Sequence, residues 1–564
     1  MAMTVLMKQT RQGDAGAVLS AGSTYTVTEA LGAQLVGNGF ATDVNGALQP
    51  DIDFDVSAKV NGVTGGIEFL AGSNKLKPRP SDFGMAQSIC VVGDSFAQQS
   101  NGGTSVGITC TRSNGIVTVT GATNHPFYPG SLCSAVGFAD SANEVQNAVV
   151  LSYISTSSFT YVHAGTDGAM AERSANSSVV MMPQSYQSIG FFSNFNRLTA
   201  GAYRLVSNAG FPGATTSVVA SKVAAFVAPW TPDRCVYLAG YNDLTAGMTV
   251  AQTVAAIKEA VMLVPGALWD IFSTFPFASG SANNTVANLR QLSQYYPLLK
   301  ATFASYPNVR VHNSLALFGL STGLAKTGYV AADNIHPTQR CMYEAAKYLV
   351  ALDSVKQTGA ALPCTALDTY GVIATSKNLI DNPLMTGSGG AVLTNVTGTV
   401  PTGGSGALTG TGASGVSSTP ARADGFGNDW QIVYTPANAD NALRMSFSGL
   451  NTRFVSGGTI DQFVMRVSIA GLVAGNVKQV NAAVVFIADG VTYAAACQDS
   501  GGTGTAIANM QQEDITELVF TLRDVAVPVF TSLTTARFDL TVSHIASSAS
   551  AVTVKLGQAQ VTLR

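Results

Sequence analysis

The sequence predicts an α/β domain built on a parallel sheet, interrupted by an antiparallel β module and followed by a β-sandwich. Three observations carry that expectation. Between about Gln87 and Ser354, short apolar runs alternate with stripes of helical period. Inside that stretch, Ser105 to about Met182 changes to period-two segments separated by Gly, Asn and Pro. After about Val372 the helical stripes stop, and alternating strands with turn signals run to the C-terminus.

Residues 1–80 are rich in small residues and read as short strands and turns. Thr24–Leu35 has room for one short helix, and Phe69–Pro80 reads as a linker ending in Lys-Pro-Arg-Pro. Residues 81–104 and 183–358 form the α/β domain. Its expected strands are Ser88–Val92, Arg204–Ser207, Cys235–Ala239, Leu268–Thr274 and Val309–His312, each a short apolar run of the buried parallel kind. Thr249 is placed to cap a helix that turns Val250, Val254, Ile257 and Val261 to one side. Leu289, Leu292, Tyr296, Leu299 and Phe303 make a second stripe, which Pro297 should bend or restart. Met342, Ala345, Ala346 and Leu349 make a third.

Residues 105–182 form the inserted module, with strands at Ile116–Val119, Val149–Ile154 and Phe159–Val162. An insertion at a loop tip costs little closure entropy. Residues 372–564 form the sandwich. There Phe463, Met465, Val467 and Ile469 share a face, as do Phe538, Leu540 and Val542, and Val552, Val554 and Leu556.

Composition narrows the function. Of 564 residues, 46% are apolar, which excludes wholesale disorder. Only 11% are charged, and 30 basic against 33 acidic residues leave a net charge of −3, so no nucleic-acid partner is expected. The surface polarity comes instead from Gly, Ser, Thr and Asn, which suits neutral polymers. Seven cysteines without a CxxC pair make neither a disulfide framework nor a zinc knuckle. No long apolar stretch marks a signal peptide or a membrane span, so export by a route other than Sec and no membrane insertion are expected.

The chemistry-bearing residues gather at the predicted C-terminal ends of strands, where open α/β sheets bind ligands. Gly93-Asp94-Ser95-Phe96 follows the first strand; alone, such a tripeptide is as readily a turn as a nucleophile. A serine nucleophile needs a base. Of five histidines, His125, His163 and His544 lie in β-rich segments and His312 inside a core strand. His336 sits in Asp333-Asn334-Ile335-His336-Pro337, a loop before the last helix. An acid three residues earlier can bond Nδ1 and leave Nε2 for serine, or can simply cap the helix. Oxyanion donors are available from Asn208 to Thr216 and from Gly240-Tyr241-Asn242-Asp243, though either segment also reads as a plain turn.

Together and in this order, these four segments resemble the signature blocks of the SGNH (GDSL-type) hydrolase family: Gly-Asp-Ser, a glycine block, Gly-x-Asn-Asp and Asp-x-x-His-Pro. The resemblance covers about Gln87 to Ser354 without the insertion and implies a flavodoxin-like parallel sheet. It implies Ser95 as nucleophile, His336 as base and acid, and Asp333 as its orienting partner. The oxyanion hole would comprise the Ser95 and Gly213 amides and the Asn242 side chain; Gly213 fits the glycine block better than Gly210. No metal and no organic cofactor is implied. The departures are Phe96 where Leu is common, and the 118 residues from Ser95 to Gly213, which the insertion accounts for.

Residues 5–45, the inserted module and Asn378–Met385 are similar in composition to tail fibre and tailspike proteins of tailed phages. That likeness implies a homotrimer on the virion tail, made in the host cytoplasm and working outside the cell. Its partners would be tail or baseplate proteins and a bacterial surface polysaccharide, from which it would remove O-acetyl groups. The sandwich resembles carbohydrate-binding jelly rolls, in which Trp430, Tyr434, Phe454 and Tyr493 would stack on sugars; core packing and trimer contacts are the other roles open to them. A lipase or thioesterase acting on another ester, and a non-catalytic glycan-binding adhesin, are the alternatives.

Overall fold

The computed structural model describes residues 86–563 except 99–107, 123–124, 126, 173–179, 184–189, 354–363, 372–377, 392–393, 473–476 and 501–514, and within residues 1–85 it describes the strands only. The chain divides into two units, Met1–Met85 and Ala86–Arg564.

In the first unit Ala2–Met7 pairs antiparallel with both Thr24–Thr28 and Ala41–Asp43. The helix expected over Thr24–Leu35 is therefore corrected at its start: Thr-Tyr-Thr-Val-Thr is β-branched and aromatic, and extends as a strand. The rest of that segment lies outside the described residues. The linker expected over Phe69–Pro80 instead contains Leu76–Pro78, paired with Ile67–Phe69.

The second unit contains the parallel sheet. Its strands are β1 (Gln87–Gly93), β2 (Tyr203–Gly210), β3 (Arg234–Leu238), β4 (Leu268–Phe272) and β5 (Val309–His312). The order is β2-β1-β3-β4-β5 with every pairing parallel, so the strand order reverses between β1 and β3. Ile89, Cys90, Val91 and Val92 of β1 are all fully buried, which is why this strand reads as a continuous apolar run.

Eight helices of the domain matter here: α1 (Ser95–Gln98), α2 (Phe191–Leu198), α3 (Thr216–Phe226), α4 (Tyr241–Thr245), α5 (Val250–Leu263), α6 (Val286–Thr302), α7 (Ser314–Phe318) and α8 (Gln339–Leu352). α2 packs on α8, while α3 packs on α5 and α5 on α6. Thr249 closes a capping box with Gln252 at the start of α5. α6 continues through Pro297 without restarting and buries Leu292, Tyr295 and Leu299; the expected Tyr296 is only partly covered, because the face rotates by one residue.

The insertion leaves after α1 and returns before α2. It is a seven-stranded antiparallel sheet in the order Gly168–Met170, Thr109–Ser113, Ile116–Thr120, Ser158–Val162, Val145–Ser155, Leu132–Val136, Val180–Pro183. It has its own core around Val117, Val119, Phe127, Phe138, Phe159 and Tyr161. Polar contacts tie it to the α/β domain: the Trp230 indole N–H donates to Gln146 Oε1 at 2.8 Å, the Gln146 side-chain amide donates to Ser207 Oγ, and Lys222 pairs with Glu144 at 2.6 Å.

Beyond α8 a six-stranded and a five-stranded sheet share one apolar core, which makes the sandwich. Among the described residues the strands pair antiparallel except Val396–Gly398 with Gly415–Ser418, and an isolated bridge joins Ala391 to Ser405 in parallel. Three of the four aromatic residues expected to face sugar do not. Trp430 is 0% exposed and donates its indole N–H to Ser417 Oγ at 3.0 Å. Tyr434 is 2% exposed, with its hydroxyl 2.8 Å from His544 Nε2. Phe454 is buried edge-on against Phe486. Both Trp430 and Tyr434 lie on an inward-facing register of Trp430–Tyr434, so alternation along the strand places them in the core. Tyr493 alone of the four stays partly exposed.

Candidate active site

At the reversal between β1 and β3 the backbones approach so closely that a Cβ on Gly93 would lie 1.9 Å from the Leu238 carbonyl oxygen. Only glycine fits there. The next residue, Asp94, is completely buried. Its Oδ1 accepts from the Phe96 amide at 2.9 Å, and its Oδ2 accepts from the Gly240 amide at 3.2 Å and the Asn242 side-chain amide at 3.4 Å. Asp94 thus ties the turn after β1 to the loop after β3. Burial pushes its pKa from 3.8 up to about 7, against the pull of the Phe96 and Gly240 amides.

Ser95 opens α1 and holds its hydroxyl 2.9 Å from His336 Nε2. The other ring nitrogen, Nδ1, is 2.5 Å from Asp333 Oδ2. Asp333 Oδ1 accepts from the Ile335 and His336 amides, both at 3.0 Å, so the Asp-x-x-His turn folds around its own carboxylate. Asn334 adopts φ 65°, a conformation that asparagine tolerates. Burial would raise the Asp333 pKa, but the His336 ring and the two amides outweigh it and hold the value at about 2. An ionised carboxylate can only accept, so Nδ1 carries the proton and Nε2 presents its lone pair to Ser95. The Phe96 ring meets the His336 ring edge-on at 5.6 Å and limits its rotation.

The loop after β2 begins where the Phe211 amide donates to the Gly93 carbonyl at 2.9 Å. Gly213, at φ 71°, stands exposed on it. Among the described residues, neither the Gly213 nor the Ser95 amide makes a hydrogen bond. Asn242 donates to the Ala214 carbonyl at 3.0 Å and so links the Gly213 loop to the loop after β3. Asp243, also buried, accepts from the Thr216 amide at 3.0 Å, the Thr216 hydroxyl at 2.5 Å and the Thr253 hydroxyl at 3.1 Å. Glycine is again required at Gly240, where a Cβ would lie 2.1 Å from Thr274 Oγ1.

The structure therefore brings Ser95, His336 and Asp333 into one hydrogen-bonded chain, and sets Asn242 and the Gly213 loop on the same edge. Trp430 and Tyr434, the other two expected site residues, lie in the sandwich core. Two residues of the site were given no role from sequence: Asp94, which joins the loops, and Asp243, which anchors the glycine loop. Each is the acid of a motif already noted, but the partners that reveal its role are distant in sequence. Among the described residues no group of three or more His, Cys, Asp or Glu side chains is arranged to hold a metal ion.

Fold and site together define an α/β domain of 2-1-3-4-5 strand order carrying a Ser–His–Asp chain at its strand C-termini. No protein-family model matches the sequence, and no curated protein matches it. Among solved structures, the chain is similar to a putative platelet activating factor from Streptococcus pneumonia, at 16% identity over 28% of this chain and 78% of that one, TM-score 0.26. It is similar to a GDSL-like lipase from Bacteroides thetaiotaomicron at 15% identity over 29% of this chain and 82% of that one, TM-score 0.25. It is similar to an acetyl-xylooligosaccharide esterase from Geobacillus at 17% identity over 27% and 73% of the two chains, TM-score 0.24.

Proposed function

We propose that this protein is a serine esterase that removes O-acetyl groups from a bacterial surface polysaccharide. The observation that carries the reading is the chain Ser95 Oγ to His336 Nε2 at 2.9 Å and His336 Nδ1 to Asp333 Oδ2 at 2.5 Å. Ser95 Oγ attacks the acetyl carbonyl carbon as its proton passes to His336 Nε2, and the Asp333 carboxylate stabilises the resulting imidazolium. The tetrahedral oxyanion is met by the Ser95 and Gly213 amides and by Asn242, whose amide swings from Asp94 to reach it. As the intermediate collapses, the sugar oxygen leaves with the proton from His336 and the acetyl group stays on Ser95. Water, deprotonated by His336, then releases acetate and restores the serine.

The polysaccharide substrate and a place on a phage tail, as a homotrimer bound to tail or baseplate proteins, rest on the resemblance of the flanking regions to tail proteins. A composition low in charge and rich in hydroxyls fits a polymer of sugars. Acetate release from a panel of purified capsular and O-antigen polysaccharides is the test, with Ser95→Ala as control. Release by the wild type alone supports the reading. Hydrolysis of aryl acetates with no acetate from any polysaccharide would leave an esterase of another substrate class.

A further inference from the structure

Where the inserted module meets the sandwich, a chain of aromatic rings crosses from the core of one to the surface of the other. Phe159 lies 4.5 Å from Phe127 and 4.8 Å from His125, and His125 lies 5.2 Å from Tyr153. Tyr153 meets Tyr493 of the sandwich edge-on at 5.6 Å, and Tyr493 lies 5.6 Å from Tyr128. The Tyr128 hydroxyl donates to the Ala526 carbonyl at 2.8 Å and pins the two regions together. Phe127, Phe159, His125 and Tyr128 are buried, whereas Tyr153 and Tyr493 are only partly so.

A cleft of about 190 Å³ opens between these partners, lined by His125, Phe127, Tyr153, Thr156, Thr492 and Tyr493. Its chemistry is specific. Thr156 and Thr492 are exposed, and among the described residues the Tyr153 and Tyr493 hydroxyls have no hydrogen-bond partner. The His125 ring is neutral by construction: Nδ1 accepts from the Phe127 amide at 3.3 Å, so Nε2–H donates to the Ser155 and Ser158 carbonyls at 2.9 and 3.3 Å. Burial also holds that histidine below its ordinary pKa. The lining thus combines ring faces with unsatisfied hydroxyls and carries no charge.

We propose that this cleft is a second, non-catalytic subsite that binds one neutral sugar ring of the polymer, an inference that rests on the polysaccharide reading above for its ligand class. A pyranose offers an apolar C–H face to an aromatic ring and a rim of hydroxyls to polar neighbours, which is what the lining complements. An acidic sugar would enter with its charge unpaired, and desolvation would oppose it. Holding the polymer at a point away from Ser95 raises the local concentration of further ester groups.

The test uses the full chain and its Ser95→Ala variant in binding titrations with gluco-, galacto-, manno- and xylo-oligosaccharides, and with oligogalacturonate as the acidic comparison. The expected result is saturable binding to at least one neutral series by both proteins. Tyr493→Ala should weaken that binding by about tenfold or more. Thr492→Trp should do the same by filling the cleft from an exposed position, with no packed ring removed. Both variants should hydrolyse 4-nitrophenyl acetate at the wild-type rate. No binding to any neutral series, preferred binding of oligogalacturonate, or binding unchanged in both variants overturns the subsite. Loss of aryl acetate hydrolysis is read separately: its absence in the wild type defeats the esterase and leaves the titrations to judge the cleft.

Discussion

His336 and His312 each lie beside a carboxylate, 2.5 Å from Asp333 and 2.8 Å from Asp270, yet their surroundings are opposite. Asp270 is fully buried in β4 and also accepts from Arg234 Nε at 2.8 Å and from Arg310 Nε and Nη2 at 2.7 and 2.9 Å. Burial would raise its pKa, but Arg234, His312 and Arg310 hold it well below the usual carboxylate range. Arg234 continues the network to Asp353 at 2.6 Å and lies over the Phe195 ring at 4.7 Å. Two guanidinium groups already pair with Asp270. Asp333 is held by two backbone amides, and among the described residues no lysine or arginine pairs with it. A proton arriving on His336 therefore meets an uncompensated carboxylate, and its free nitrogen already faces a serine. The difference fits the role of base proposed for His336: its carboxylate pairs with no arginine among the described residues, and a serine hydroxyl stands opposite.

The most direct way to break this comparison is at the site. Ser95→Ala and His336→Ala should each lower ester hydrolysis by about 10⁴-fold or more with the unfolding midpoint unchanged. Asp333→Asn should lose roughly ten- to a hundredfold less, because the backbone amides still hold the turn. Near-wild-type turnover by Ser95→Ala would end the serine mechanism.

Asp270→Ala sharpens the contrast from the other side. It removes the fully buried carboxylate between Arg234 and Arg310 and leaves them only Asp353 as a carboxylate partner among the described residues, so denaturant titration should show a loss of about 3–5 kcal/mol. Turnover per folded molecule should stay near wild type, and a drop matching that of Asp333→Asn would show that the two pairs do not differ in role. Asn242→Ala should come next, lowering kcat by about 10²–10³ with little change in KM. An effect confined to KM would mean that Asn242 binds substrate and does not meet the oxyanion.

A pH dependence of stability should come from Asp94. Its pKa rises from 3.8 to about 7 on folding, so between those values the native state holds a proton that the unfolded chain has released. Stability contributed by this group is therefore fully present below about pH 4 and falls as pH rises towards 7. Unfolding free energies measured across that window should decline in the wild type relative to Asp94→Asn. A flat difference between the two proteins would mean that the amides around Asp94 offset its burial.

The sequence by itself determined what is local or periodic. Apolar runs placed all five parallel strands, most clearly β1, which is covered on both faces and apolar from Ile89 to Val92, and least clearly the edge strand β5, which carries Arg310 and His312. Thr249 announced the start of α5, since a cap needs only one residue placed before an apolar stripe, while its reciprocal partner Gln252 appears only in the structure. Asp333 and His336 were legible as a pair because the turn that joins them closes within the motif. The tertiary structure decided whatever depends on partners far along the chain. Ser95 meets a histidine 241 residues away only because the strand order reverses between β1 and β3. Composition could not tell Trp430 and Tyr434 from Tyr493, since all three are aromatic residues on strands. Register turned the first two into the core, while packing against the insertion left Tyr493 at the mouth of a cleft. Asp94 and Asp270 differ in the same way: each is one buried carboxylate, and whether its pKa moves up or down depends on the amides or guanidinium groups that folding brings to it.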